Sequence, residues 1–322
     1  VSRGRAALAA GLAAALVLAG AGCGRRAPPL PEVRVHASPD LPGEVLADAA
    51  ARLRVARVVL VARAEDAEVG WLSDPAAALE LGERVAPGSA PAAEGVPARF
   101  RDPRGRFAPV GARARVLLRT PRALDADPRN YRDLADPRLA GRVALVPLGE
   151  GAGPVTLAAL ALAYGERSAG RFAALLAGNR PQLVAREDDV RARVAAGAAD
   201  AGLAGSVEGV AGAVSAAALR LVWPDQLGRG LVLLPTAAVR LRGAGPGADA
   251  LLAWLAGPSA ERVLVARVPG LLPLRAEVPV PPGAEPAGNL VALPLDWDAL
   301  AAETVRWRAH LARWPEGGPF GD

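Results

Sequence analysis

Short apolar runs and stretches of helical spacing alternate along most of the chain. Val33-Arg34-Val35-His36 has the two-residue period of a strand and stops at Ala37-Ser38-Pro39-Asp40, where Ser, Pro and Asp signal a turn into a helix. Val45, Leu46, Ala49 and Leu53 then fall near helical spacing, which predicts a helix over about 44–54. Val58 to Ala62 is an apolar run short enough for a buried strand. Glu68-Val69-Gly70-Trp71 reads as the end of another strand, opening on Leu72-Ser73-Asp74-Pro75. Two predicted strands therefore end in polar turns.

From Val85 to Arg106 the Pro, Gly, Arg and Asp content marks a long loop, closed by the turn Arg101-Asp102-Pro103-Arg104-Gly105-Arg106. Phe107 to Arg119 alternates, with Val110, Ala112, Ala114, Val116 and Leu118 on one face and Arg113, Arg115 and Leu117 on the other, which predicts a long strand able to cross between lobes. Residues 120–141 read as loop and short helix, 143–148 as a buried strand, and Gly149-Glu150-Gly151-Ala152-Gly153 as the lead into a helix with Pro154 in its first turn. Helices are predicted near 168–177, 187–196, 206–219, 248–256 and 259–267, and strands near 182–185, 200–204, 219–223 and 231–241. In the C-terminal segment Leu300 to Trp314, Trp307, Leu311 and Trp314 predict an amphipathic docking helix. Near-continuous apolar strands alternating with helices imply α/β layers rather than a bundle or a sandwich. No internal repeat is present.

Length and composition narrow the class. At 322 residues the chain is long enough for two lobes, and 52% hydrophobic with 22% charged residues fits a globular fold rather than a disordered one. Lys, Ile and Met are absent, so all 38 basic residues are Arg, a bias of genomic character. The formal net charge is only +5, and Arg and acidic residues are interspersed along the chain. With no basic stripe and no aromatic interleaving, nucleic acid is not an expected partner.

Residues 1–22 place Arg3 and Arg5 before an apolar stretch from Ala6 to Ala19 and then small residues, the pattern of an export signal. The apolar stretch is shorter than a stable membrane span requires. Cys23 is the only cysteine, so no intramolecular disulfide is possible. Leu18-Ala19-Gly20-Ala21-Gly22-Cys23 resembles a bacterial lipobox, with Gly20 where that motif usually has Leu, and this implies lipidation of Cys23. Ordinary cleavage after Ala21 is the alternative. Residues 23–32 then read as a Pro-stiffened tether that holds a domain off a membrane.

At Val96-Pro97-Ala98-Arg99-Phe100-Arg101-Asp102-Pro103-Arg104-Gly105-Arg106-Phe107, followed by Ala112-Arg113-Ala114-Arg115-Val116-Leu117, the chain resembles the ferric-iron class of extracellular solute-binding proteins of ABC importers. Asp133-Leu134-Ala135-Asp136-Pro137-Arg138-Leu139-Ala140-Gly141-Arg142-Val143-Ala144 resembles that family's passage into its second lobe. Val222-Trp223-Pro224-Asp225 with Gly230-Leu231-Val232 resembles its return, and Gly257-Pro258-Ser259-Ala260-Glu261 a late helix start. The likeness runs from about residue 33 to the C-terminus. It implies a two-lobed periplasmic-binding-protein type II clamshell, α/β in class, with a ligand cleft between lobes. Lobe 1 is expected from 33–118 and 231–280, lobe 2 from 119–230, and a C-terminal segment from 281–322.

Two departures from the family stand out. Between His36 and Trp71 the chain is shorter, as though a helix and strand were missing. Where the iron binders carry adjacent tyrosines, this chain reads Gly205-Ser206-Val207-Glu208-Gly209. Tyr131 and Tyr164, the only tyrosines, read as structural.

Ferric ion as cargo would need hard oxygen ligands, and the donors at predicted strand ends are His36, Asp74, Glu150 and Glu208, with His36, Asp74 and Glu208 as the candidate metal set. An anionic or zwitterionic solute is preferred over bare iron. Backbone N–H groups of the Gly149-to-Gly153 loop, Gly151 and Gly153 among them, sit before a helix, and Ser206 is placed to cap another. Arg113 or Arg115 offers a bidentate contact, and Ser38, Ser73 and Asp74 fill the polar turns. Glu187-Asp188-Asp189 reads as acids at a helix N-terminus, a structural feature.

With only His36 and His310 as histidines, and no G-x-S-x-G elbow, H-E-x-x-H pair or P-loop, the chain is not expected to be an enzyme, and it calls for no cofactor. The expected function is that of an exported, monomeric, lipid-anchored solute receptor at the periplasm or cell surface that serves an ABC permease. A sensor or envelope-interaction lipoprotein on the same fold is the alternative.

Overall fold

In the computed structural model, residues 29–122, 126–215 and 219–316 are described. The expected export signal and Cys23 lie outside them. The unit that begins at Pro31 is built on nine strands. In chain order these are β1 (Glu32–Ala37), β2 (Arg57–Leu60), β3 (Val69–Leu72), β4 (Ala108–Arg119), β5 (Val143–Leu145), β6 (Gln182–Leu183), β7 (Ala201–Gly205), β8 (Arg220–Val222) and β9 (Leu233–Arg240). The helices are α1 (Gly43–Arg52), α2 (Pro75–Glu80), α3 (Gly153–Tyr164), α4 (Glu166–Gly178), α5 (Glu187–Ala195), α6 (Ser206–Ser215), α7 (Pro246–Leu255), α8 (Pro258–Arg267) and α9 (Trp297–His310).

The strand order is β2-β1-β3-β9-β4-β7-β5-β6, with β8 also on β4. Parallel pairing within β2-β1-β3 and within β7-β5-β6 makes two half-sheets, joined through antiparallel β9 and β4. Parallel strands need helical crossovers, which is why β-branched runs and helical spacing alternate in the sequence.

β4 belongs to both halves. Ala114 pairs with Leu233 of β9 and the next residue, Arg115, with Gly205 of β7, so the strand changes partners between those two positions. Its register on β9 slips between Pro109 and Ala112. Gly111 sits there at φ +69° with Leu271 packed where a Cβ would stand, so the bulge needs glycine. Tyr131 stitches the crossing: its hydroxyl donates to the Arg115 carbonyl at 2.8 Å and accepts from the Val232 N–H at 3.0 Å.

β5 stops at Leu145 rather than running to Leu148, because Pro147 has no N–H for the ladder. Gly165, at φ +89°, separates α3 from α4. α9 starts at Trp297, ahead of the predicted 300, because the Asp296 carboxylate accepts from the Ala299 N–H at 2.9 Å and caps it. The helix lies against both α2 and α3. Trp307, Leu311 and Trp314 are buried beneath it, and the Trp314 indole N–H reaches the Ala173 carbonyl of α4 at 3.0 Å.

Candidate functional site

The turns that follow the parallel strands open on one cleft of about 560 Å³. From the first half-sheet come Ser38 and Asp40 after β1, and Ser73 and Asp74 after β3. From the second come Glu150 and Gly151 after β5, Arg186, Glu187 and Asp188 after β6, and Gly205 and Glu208 at the end of β7 and start of α6. Arg113 and Arg115 of β4 lie between them, and Thr304 and Arg308 of α9 close one side. Ligands of open α/β sheets bind at the carboxyl ends of the strands, and this cleft sits there.

On the first-half side, Arg113 is ion-paired with Asp40, which also accepts from the Ser73 hydroxyl. Burial works against Asp40, but the Arg113 guanidinium and that hydroxyl hold its carboxyl below the usual range. Ser38 is spent on backbone, its hydroxyl oxygen accepting from the Ser73 N–H at 3.2 Å. Asp74 caps α2 through the Ala77 N–H at 2.9 Å. Burial, reinforced by the nearby Asp40 charge, pushes the Asp74 carboxyl up to about 6.

The second-half side is built on a carboxyl pair. Glu187 is held by Arg115 and accepts from the Gly205 N–H at 2.7 Å. Against burial, the Arg115 and Arg113 charges keep it below the usual range. Glu208 comes to the same point: a Cβ on Gly205 would stand 2.7 Å from a Glu208 oxygen and 2.8 Å from a Glu187 oxygen. Burial first, and then the Glu187 charge, push Glu208 up to about 7. Its Oε2 is buried, and among the described residues no hydrogen-bond donor reaches it.

Three expected site residues are placed elsewhere. Ser206 is fully buried outside the cleft, its hydroxyl donating to the Gly270 carbonyl at 2.5 Å and accepting from the Ala114 N–H at 3.1 Å. It fastens the crossing strand instead of facing a solute. The Gly153 N–H is consumed by the Glu150 carbonyl at 2.9 Å, so the helix start presents Gly151, at φ +51°, but not Gly153. His36 points its Nδ1 at the Val61 carbonyl, 3.4 Å away, and does not line the cleft. The set His36, Asp74 and Glu208 is therefore not assembled, and among the described residues no group of three or more His, Cys, Asp or Glu side chains is placed to hold a metal ion.

Ser38, Ser73, Asp74, Arg113, Gly151 and Glu208 do line the cleft. Glu187 and Asp188 do as well, although their position at a helix start gave no sign of it beyond their charge. Asp40, Glu80 and Arg308 escaped sequence reasoning altogether. Asp40 sits in a recognised turn, whereas Glu80 and Arg308 meet only because α9 returns to α2, in a bidentate pair at 2.8 and 2.9 Å.

Acidic groups outnumber basic ones among the described residues of the cleft. Seven carboxylates and four arginines line the cleft, and each arginine is already within 4 Å of a carboxylate: Arg113 of Asp40, Arg115 of Glu187, Arg186 of Asp188 and Arg308 of Glu80. The phenols take no part. Tyr131 is buried in the crossing and Tyr164 is half-exposed under the Arg229 guanidinium.

Known structures share this architecture. Iron- and citrate-bound IdiA (FutA) of Trichodesmium superposes with a TM-score of 0.73 at 19% identity, covering 88% of this chain and 98% of its own. Iron-bound HitA of Pseudomonas aeruginosa gives 0.73 at 18%, covering 87% and 99%. AfuA of Actinobacillus pleuropneumoniae, with fructose-6-phosphate bound, gives 0.72 at 15%, covering 87% and 96%. At such identities the likeness establishes the type II periplasmic-binding fold. No curated protein matches the chain in sequence. A family model of bacterial extracellular solute-binding proteins matches residues 83–302. With more than half its length matched and the family's fold around a polar cleft, the chain belongs to the bacterial extracellular solute-binding proteins.

Proposed function

We propose that the protein is the receptor of an ABC importer, which captures a small solute in the cleft and delivers it to a membrane permease. The observation that carries this reading is the convergence of polar turns from both half-sheets on one cavity of about 560 Å³, within the range of small-molecule sites. Lobe 1 comprises 33–118 and 231–280 and lobe 2 comprises 119–230, with the hinge in the strands that cross between them, near Leu117 to Thr120 and Arg220 to Trp223, so closure brings Asp40 and Asp74 toward Glu187 and Glu208. Lipidation of Cys23 holds the receptor at the membrane surface, with 24–32 as its tether.

The same reading has no place for a catalytic role. Among the described residues that line the cleft there is no histidine or cysteine, and the Ser73 hydroxyl donates to an Asp40 whose proton affinity is lowered by Arg113. That makes Asp40 a poor base for activating a nucleophile.

The experiment is solute uptake in a strain lacking the gene, paired with thermal-shift screening of the purified chain. A ligand that binds only the folded state raises stability by RT ln(1 + [L]/Kd), about 2.7 kcal/mol at a hundredfold excess over Kd. A solute that shifts the melting temperature in a concentration-dependent way, and whose uptake is lost on deletion, supports the reading. Unchanged uptake of a solute that binds would favour the sensor or envelope-interaction alternative.

A further inference from the structure

We infer that the solute carries a cationic group, an ammonium or guanidinium, received by the Glu187–Glu208 carboxyl pair at the junction of β7 and α6. The inference rests on the solute-receptor reading and gives it a substrate class. Three observations carry it. The cleft has three more carboxylates than arginines, and none of its arginines is without a carboxylate partner. An anionic solute would have to compete with a standing ion pair at every arginine, whereas a cation finds carboxylates in excess. Glu208 and Glu187 meet over Gly205, the one residue type that leaves room for both. The buried Oε2 of Glu208 has no donor among the described residues, and a buried acceptor without a partner is costly to leave unmade.

The charges that face Glu208 come from two elements. α5 supplies Glu187, itself paired with Arg115, and β4 supplies Arg113, whose own partner is Asp40. Each arginine is thus ion-paired with another carboxylate, although the buried Nε of Arg113 and of Arg115 donates to no partner among the described residues, and the carboxylate oxygen left without a donor in the group belongs to Glu208. In the unliganded cleft a proton relieves the like-charge contact between the two acids. A bound ammonium or guanidinium replaces that proton and donates to both, in the charge-assisted geometry that makes such bonds short and strong. The carboxyl of a zwitterionic solute would be left to the Gly151 loop.

The test is thermal shift and calorimetry on the purified chain with three sets of probes. The cationic set is L-arginine, putrescine and choline; the anionic set is inorganic phosphate, citrate and fructose-6-phosphate; the metal probe is ferric citrate. Binding confined to cationic or zwitterionic probes is expected, with proton release that grows as pH falls from 8 to 6. In Glu208→Gln the affinity for the same probe should fall about ten- to hundredfold, the usual cost of losing one charged partner. The substitution is isosteric, and its melting temperature without ligand checks that the fold is kept. Gly205→Ala, which places a methyl between the two carboxylates, should lose binding as well. An anionic probe or ferric citrate binding while the cations do not would overturn the inference and leave the solute receptor standing. Unchanged affinity in Glu208→Gln would overturn it too. No binding from any set would take both readings away.

Discussion

Glu208 and Asp74 both enter the cleft at helix starts, where amide dipoles favour an ionised carboxyl, and in both cases burial outweighs that help. The consequence for stability has a definite sign. Their folded-state affinities for a proton exceed the unfolded ones, so folding takes up protons, and their contribution to stability falls as pH rises from about 4 through about 7. Asp40 and Glu187, held low by their arginines, lose stability only below the ordinary carboxylate range, so the two effects occupy separate windows. Thermal melts from pH 5 to 8 should therefore show the unliganded protein losing stability as pH rises. Glu208 contributes to that loss because burial and the Glu187 charge raise its proton affinity, and Glu208→Gln should have a visibly flatter profile. Equal slopes in the two proteins would refute the assignment. None of these shifts was legible in the sequence. Glu208 was placed as a cleft candidate from its position after a strand, but the partner that raises it, Glu187, lies in a different turn.

At the scale of elements, α9 and the α8 segment show what local pattern reading reaches. The stripe Trp307, Leu311 and Trp314 announced a docking helix, yet not its partners. The helix begins against the first half, where Asp298 is paired with Arg106 and the Trp297 indole N–H donates to the Arg101 carbonyl at 3.1 Å, and ends against α4 of the second. Trp307→Ala should cost about 3–5 kcal/mol in denaturant unfolding, as large aromatic truncations in a core do. A loss under about 1 kcal/mol would mean that α9 is a loosely held appendage. On α8, Glu261 is fully buried, takes the Leu274 and Arg275 N–H groups and the Arg275 guanidinium, and thereby pins the segment that packs on the Gly111 bulge. Arg275 also donates to the Ala256 and Glu94 carbonyls. A buried pair so fully bonded is costly to break on one side, so Glu261→Ala should destabilise by about 3–5 kcal/mol, measured by chemical denaturation.

Across the whole molecule, the mechanical centre is the place where β4 exchanges β9 for β7. Tyr131 bonds Arg115 of β4 and Val232 just ahead of β9 there, and its burial pushes the phenol's proton affinity up, so it remains a donor at physiological pH. Tyr131→Phe leaves a buried carbonyl short of one partner and a buried N–H with none, and should cost about 1–3 kcal/mol in equilibrium unfolding. Should the two halves close on a solute, small-angle scattering would record a smaller radius of gyration with a bound probe than without it, as hinge closure requires. An unchanged radius in the presence of a saturating, stabilising ligand would argue that the cleft binds without closing.

The sequence by itself determined the alternation of strands and helices, the long strand at 107–119, and the polar turns that follow the strands, because each of these rests on period and turn chemistry within a dozen residues. It also placed the crossing near that strand, since Arg and Ala in alternation fit a strand packed on both faces. Only the tertiary structure decided which turn residues share a cleft. It turned Ser206 and Gly153 away because nearby backbone groups consume their donors, set His36 on a carbonyl of the neighbouring chain segment, and drew Glu187 and Glu208 together over a single glycine. Side-chain pairing across turns more than a dozen residues apart depends on sheet order and register, which no local pattern encodes. The charge of the solute site therefore emerged only once the strands were in place.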